Sequence, residues 1–155
     1  MNIGLVVYSW SGHTKEVAQK LRDKLASGGH NATLVDIPLT AERKQGARDF
    51  EIAQRPDLAA YDGLVFGAAV EAFSLSPVMI AYLKDVDSLA GKKVACLVSQ
   101  QFPFAWMGGN RAVGQMTKLC KAKGATIVSS AIVHWTASKR GASIAAATET
   151  LTRSF

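Results

Sequence analysis

Acidic residues are missing from a long part of this chain. Between Asp87 and Glu149 there is none, while Lys92, Lys93, Arg111, Lys118, Lys121, Lys123, Lys139 and Arg140 all fall there. The C-terminal half is therefore a basic body within a net charge of +6. These cations are scattered over several predicted elements, with neither an Arg/Lys-rich helix nor a string of aromatics for stacking bases. Nucleic acid is thus a poor partner, and attraction of anionic ligands or of an acidic partner is the reading that remains. Cysteine is scarce as well. Cys96 lies within V-A-C-L-V and Cys120 on the apolar stripe of a predicted helix, so both read as small buried hydrophobes and not as disulfide partners or reactive thiols. His13, His30 and His134 are far apart and have no cysteine or carboxylate at ligand spacing, so no metal site is expected. No apolar run approaches the ~20 residues that span a bilayer, and Met1 to Val7 lacks the basic region and cleavage site of a secretory signal. A soluble, cytoplasmic protein with no membrane partner is expected. Internal repeats, linkers and low-complexity tracts are absent.

What is present suits a globular domain: 48% of residues are apolar and 19% charged. The 155 residues suffice for one domain with a full core and are too few for two ordinary ones, so residues 1–155 are expected to form a single domain. Short apolar runs rich in β-branched residues recur at Ile3 to Val7, Thr33 to Val35, Leu64 to Phe66, Val94 to Val98 and Thr126 to Val133. Most are continuous, as a strand covered on both faces requires. Between them the period becomes helical, through Val17, Leu21 and Leu25, then Met79, Leu83 and Val86, then Ala112, Met116 and Leu119, and finally Ile144, Ala147 and Leu151. Gly28-Gly29 and Gly124 stand where two of these helices should stop. Pro38 to Asp62 is long and charged, with a vague helical pattern over Ala47 to Ala53 that predicts a short or irregular helix. Strand alternating with helix implies a three-layer α/β fold. Its five parallel strands would be doubly wound in the order 2-1-3-4-5.

In such a sheet, ligands bind at the carboxyl ends of the strands where the strand order reverses, between the first and third strands. The stretch V-V-Y-S-W-S-G-H-T-K-E-V-A, Val6 to Ala18, occupies that place. A helix N-terminus there offers unpaired N–H groups and the positive end of the macrodipole. Gly12 would let the backbone close around an anion, and Ser9, Ser11 and Thr14 add hydroxyls. The alternative is that Ser11 or Thr14 merely caps the helix. No G-K-[ST] is present, which excludes a nucleotide-hydrolysing P-loop, and no G-x-G-x-x-G follows the first strand. The acidic residues of a Mg²⁺-binding receiver are replaced by Ser9 and Gly67, and no cysteine is placed to attack phosphorus. The cradle binds, and it has no evident nucleophile.

Y-S-W-S-G-H-T resembles the phosphate loop of the flavodoxin-like family, in a form one residue shorter. Two further stretches are similar to that family's flavin-ring loops. Y-D-G-L-V-F-G-A-A-V-E-A-F, Tyr61 to Phe73, follows the third strand, and S-Q-Q-F-P-F-A-W-M-G-G-N, Ser99 to Asn110, follows the fourth. The resemblance covers nearly the whole chain and implies FMN as cofactor. Its phosphate would be held by Ser9, Trp10, Ser11, Gly12, His13 and Thr14. The ring would lie between Ala68, Ala69, Val70, Glu71, Ala72 and Phe73 on one side and Ser99, Gln100, Gln101, Phe102, Trp106 and Gly109 on the other. Phe73, Phe102, Phe104 and Trp106 could supply aromatic cover or ordinary packing. Gly108-Gly109 suggests a backbone that passes close to something. Trp10 could cover the ribityl chain or face solvent. His13, where the family more often has asparagine, is read as a donor to phosphate in preference to a filler of the loop.

Departures from the family pattern carry their own expectations. Ala69 stands where proline is frequent, and Glu71 where many members stack an aromatic on the flavin. Glu71 is read as an outward surface carboxylate in preference to a charge lying against the ring. No glycine occurs from Ala68 to Ala90, so positive φ in this loop is expected to be costly. The leading expectation is electron transfer through bound FMN, with no catalytic side chain required. An NAD(P)H-dependent quinone or small-molecule flavin reductase is the alternative, and a non-catalytic interaction module that has lost FMN is the third reading. The partner would be a redox protein or a small electron donor or acceptor. The basic surface departs from the strongly acidic members that dock on basic reductases.

Overall fold

The computed structural model describes residues 1–44 and 46–155. Five strands form the parallel part of its sheet: β1 (Asn2–Val7), β2 (Asn31–Asp36), β3 (Gly63–Glu71), β5 (Lys93–Gln100) and β6 (Thr126–His134). A two-residue strand, β4 (Ser74–Leu75), runs antiparallel to the end of β3. The helices are α1 (His13–Ser27), α2 (Pro77–Asp85), α3 (Gly109–Ala122) and α4 (Arg140–Thr152). The sheet order is β2-β1-β3-β5-β6, so the long strands follow the 2-1-3-4-5 order expected from the sequence. Register is continuous across β1 and β3, where Val6 lies beside Phe66 and Val7 beside Gly67.

Each strand divides its side chains between two cores, because successive Cβ atoms point to opposite faces. Ile3, Leu5, Val7, Val65, Ala95 and Leu97 meet Val17, Leu21 and Leu25 of α1 and Ile144 and Leu151 of α4. Val6, Leu64, Phe66, Val94, Cys96 and Val98 meet α2 and α3 on the other face through Met79, Leu83, Ala112, Met116 and Cys120. The continuous apolar runs thus reflect burial on both faces. Cys96 and Cys120 are both fully buried in the second core, as small hydrophobes.

The helix expected over Ala47 to Ala53 does not form. The backbone there pairs with residues 38–40 instead: Leu39 bridges Ile52 in antiparallel sense, the Thr40 N–H donates to Glu51 O at 3.0 Å, and the Ala53 N–H donates to Pro38 O at 2.8 Å. Within the segment the Ala47 N–H turns back to Lys44 O at 3.0 Å, and the cross-loop pairing holds the backbone extended at Ile52, which a helix cannot share. Its apolar residues still pack in place of a helix, as Leu39, Phe50, Ile52 and Leu58 join the core of α2 and α3.

Of the two glycines that end α1, only Gly29 adopts positive φ, at 91°, while Gly28 lies at −84°. Gly29→Ala should therefore destabilise the protein by about 1–2 kcal/mol, the cost of a Cβ in the left-handed region, and Gly28→Ala should cost less. Urea denaturation of the two variants tests this; equal losses would show that the left-handed turn is not what ends the helix.

Candidate functional site

The three central strands end together. The Tyr8 N–H donates to Gly67 O at 3.0 Å and the Ile37 N–H to Val7 O at 2.9 Å, after which the chain leaves the sheet at Ser9. It re-enters regular structure at α1 through Gly12, which is in the left-handed region at φ 88° and makes no side-chain cap. Its carbonyl accepts from the Glu16 N–H at 3.0 Å, and the Lys15 N–H donates to Ser9 Oγ at 3.3 Å. Among the described residues, nothing accepts from the backbone N–H groups of Trp10, Ser11, Gly12, His13 or Thr14. A run of amides at the positive end of a helix is what an anion requires.

The hydroxyls are less uniformly free than the sequence suggests. Thr14 is buried, with Oγ1 2.7 Å from the buried Ser99 Oγ, so it joins this loop to the end of β5. Ser9 is the acceptor for Lys15, and Ser11 is exposed. His13 stacks on Trp135, with ring centroids 4.1 Å apart at 12°, and its Nδ1 lies 3.3 Å from Gln101 Nε2. Burial, and then the positive charge of Arg140, hold its pKa below the ordinary histidine value despite Glu16, which favours the neutral ring. With the Gln101 amide donating to Nδ1, the proton is assigned to Nε2. Trp10 is half exposed and is pinned by its Nε1–H, which donates to Arg43 O at 2.7 Å.

A cleft of about 410 Å³ opens between Val70, Ala72 and Phe73 on one wall and Gln101 and Phe102 on the other, with Gly46 at its edge, and Gln101 connects it to the loop through His13. That volume falls within the ~300–1,000 Å³ of small-ligand sites. Phe73 and Phe102 stack on each other with centroids 5.4 Å apart at 7°. A planar ligand enters between them only if they part to about 7 Å, twice the ~3.5 Å contact distance. A larger cleft of about 730 Å³ lies on the far side of Trp10, between Tyr8, Ser9, Ile37, Leu39 and Lys44, away from the β5 loop.

Other sequence-predicted residues lie behind these walls. Ala68 is fully buried, and the Ala69 carbonyl accepts from the Ser76 N–H at 3.0 Å. Gln100 is buried, and its Nε2 donates to Phe102 O and Phe104 O at 2.9 and 2.6 Å, shaping the β5 loop from beneath. Trp106 is 75% exposed and stacks on Phe104 outside the cleft. The close approach implied by Gly108-Gly109 is real, but it is to protein: a Cβ on Gly108 would stand 2.7 Å from Val70 Cγ1, and one on Gly109 2.7 Å from Gln100 Oε1.

One expectation for the β3 loop is overturned. Glu71 is not a surface carboxylate: it is buried and receives both Arg43 terminal nitrogens, at 2.7 and 3.2 Å, and the Gly46 N–H at 2.8 Å. Arg43 also donates to Tyr8 Oη and to Ala47 O, which fastens the irregular segment after β2 to the wall of the cleft. Burial pushes the Glu71 carboxyl up, but the Arg43 and Gly46 hydrogen bonds and the Arg43 charge outweigh it and hold the pKa below the usual carboxylate range. An acidic residue inside G-A-A-V-E-A-F was the available signal, since a carboxylate in an apolar run needs a cation; which of 18 lysines and arginines supplies it was not written locally. The loop also reaches positive φ without glycine, at Ala72 (51°) and Phe73 (61°), the central residues of the two-residue turn between β3 and β4. A right-twisted hairpin demands that geometry whatever the residues, and strain of this kind is characteristic of functional loops.

No family model matches the sequence, and a search of curated proteins gave no match. Solved structures define the class: the chain has a flavodoxin-like fold. Flavodoxin 2 from Bacillus cereus aligns over 100% of both chains at 20% identity with a TM-score of 0.71. The Streptococcus pneumonia TIGR4 flavodoxin aligns over 100% of both at 17% identity and TM-score 0.71. A flavoprotein from Lactobacillus acidophilus NCFM, crystallised in complex with FMN, aligns at 14% identity and TM-score 0.65, covering 84% of this chain and 92% of its own.

Removing one partner of the buried pair, in Glu71→Ala or Arg43→Ala, should cost about 3–5 kcal/mol, and the double change Arg43→Met with Glu71→Leu should cost less than either. Because the folded carboxyl pKa is depressed, the pair's contribution is complete above the unfolded value of ~4.3 and is lost as pH falls through the lower folded value. Denaturation curves against pH check both, and a wild-type profile as flat as that of the double variant would refute the coupling. Ala72→Gly should stabilise the fold by about 1 kcal/mol by relieving positive φ, read as an upward shift in Tm.

Proposed function

We propose that this chain binds FMN and transfers electrons through it. The observation that carries the reading is the run of unpartnered amides from Trp10 to Thr14 at the head of α1, joined to the β5 loop by the Thr14–Ser99 contact. A phosphate held there would leave the rest of the cofactor to reach the apolar-walled cleft between the β3 and β5 loops. The Trp10–Thr14 amides, the Ser11 hydroxyl and the Nε2–H of neutral His13 would hold the phosphate. Phe73 and Phe102, which are 53% and 40% exposed, would part to cover the ring and keep water from it. The flavin supplies the redox chemistry when bound. Glu71, whose charge is consumed by Arg43, would contribute a neutral wall and no proton donor.

A reductase that takes hydride from NAD(P)H is the second reading. It is favoured by the exposed cations beside the β5 loop, where Lys139 Nζ lies 4.7 Å from the Phe104 ring and donates to Pro103 O. Among the described residues no helix is long and apolar enough to cross a membrane.

Titration of apoprotein with FMN and with riboflavin tests the first reading. FMN should bind at least a hundredfold more tightly, about 2.8 kcal/mol. Equal affinities would remove the phosphate assignment, and failure to bind either would leave only the fold. Oxidation of NAD(P)H by the loaded protein with a quinone acceptor separates the reductase from the electron carrier.

A further inference from the structure

A third, smaller cleft of about 280 Å³ lies along the β3–β4 hairpin, and its charge is not balanced. Arg48 and Arg111 line it, together with Ser74 and Gln115. Neither arginine has a carboxylate or hydrogen-bond partner among the described residues, where the arginines in ion pairs are Arg22, Arg43, Arg55 and Arg153. The one acidic residue in the lining is Glu71, and both its oxygens are already spent on Arg43 and the Gly46 N–H. The cleft therefore carries two uncompensated guanidinium charges.

Arg111 adds to the imbalance by its position. It lies in the first turn of α3, a turn with no acidic residue and no side-chain cap at Gly108. A cation there is disfavoured by the positive end of the macrodipole, where an anion is favoured. The floor of the cleft is rigid: Gln115 Oε1 accepts from the Leu75 N–H at 2.8 Å, and its Nε2 lies 2.9 Å from Ser74 Oγ. Planar guanidinium forks match carboxylate and phosphate oxygens in pairs. The cleft also shares Gly46, Glu71 and Ala72 with the candidate ring site, so the two adjoin at those residues.

We propose that this cleft is an anion subsite that takes the phosphate or carboxylate group of a small redox substrate whose reducible part reaches the ring cleft. The link to a redox substrate rests on the FMN reading; the anion site itself does not. No bond is made or broken in the subsite. Its role is to anchor the charged end.

The test is an NMR titration of amide shifts with inorganic phosphate and, separately, with malonate, at constant ionic strength, on the protein as purified and after loading with FMN. Both anions should produce saturating shifts at Gly46, Ala72, Ser74 and Arg111. The double variant Arg48→Gln with Arg111→Gln should weaken them at least tenfold, Arg48→Lys with Arg111→Lys should weaken them less, and Lys118→Gln on the exposed face of α3 should have no effect. A response to only one of the two anions assigns the source and still supports the site. Linear shifts, or an affinity unchanged in the double glutamine variant with native circular dichroism, would overturn it. For the loaded protein, photoreduced with EDTA as electron donor and mixed with excess quinone, the concentration of a carboxylated naphthoquinone giving half-maximal flavin reoxidation should rise at least fivefold in that variant with the limiting rate unchanged, while menadione, which has no charge, should be unaffected. Equal effects on both quinones would refute the substrate assignment. If FMN fails to bind, the function proposed above falls, and the anion titration of the unloaded protein still decides the subsite.

Discussion

Parallel strands cannot be joined by tight turns, and that constraint organises the molecule. Every return from the carboxyl end of one strand to the amino end of the next requires a crossover on a face of the sheet, and the favoured hand is right. Going from β1 to β2 moves the chain one way along the sheet, and going from β3 to β5 and on to β6 moves it the other way. The crossovers therefore lie on opposite faces, α1 against one core and α2 and α3 against the other. Between β1 and β3 no crossover covers the carboxyl ends, and the loops after β1, β3 and β5 converge there. The site follows from the winding, and its chemistry from which residues those loops carry.

The irregular segment after β2 shows how a missing helix is replaced. Its backbone pairs with itself across Leu39 and Ile52, its apolar residues still cover the core, and Arg43 ties it to the sheet. A buried ion pair contributes little net stability compared with apolar residues of the same shape, yet either member left alone is costly. The pair is thus better understood as a device that specifies where the segment sits. Through Gly46 and the Trp10–Arg43 bond it sets one edge of the cleft and fixes the indole in the turn before α1. In this way a segment that reads as a weak helix contributes to the geometry of the site.

The hairpin from Glu71 to Ser74 combines strain with position. Two residues with side chains are held at positive φ, and the second presents its ring to Phe102 across the cleft. The turn is over-determined by the surrounding contacts: Gln115 holds Ser74 and Leu75, Gly108 packs beneath Phe73, and Glu71 is locked by Arg43. Such support lets the backbone keep a conformation that local preferences disfavour. The same hairpin separates an apolar cleft from a cationic one, so a single rigid element shapes both.

Much of the architecture was legible from local patterns. The five long strands, the four helices and the strand order follow from runs and periods only a few residues long, because burial on two faces or on one stripe writes itself into the spacing of apolar residues. The three loops that converge at the carboxyl ends of β1, β3 and β5 were marked too, by glycine, serine and aromatic residues placed at strand ends. What the sequence could not decide was partnership. That Glu71 takes Arg43, that Thr14 meets Ser99 across 85 positions, that His13 stacks on Trp135, and that Arg48 shares a cleft with Arg111 all depend on how distant segments are brought together. Periodicity and turn chemistry are short-range properties of the chain, and they determined the elements. The choice among many similar cations and hydroxyls is made by crossover geometry and by the cost of leaving a buried polar group unpaired, and only the assembled sheet imposes these.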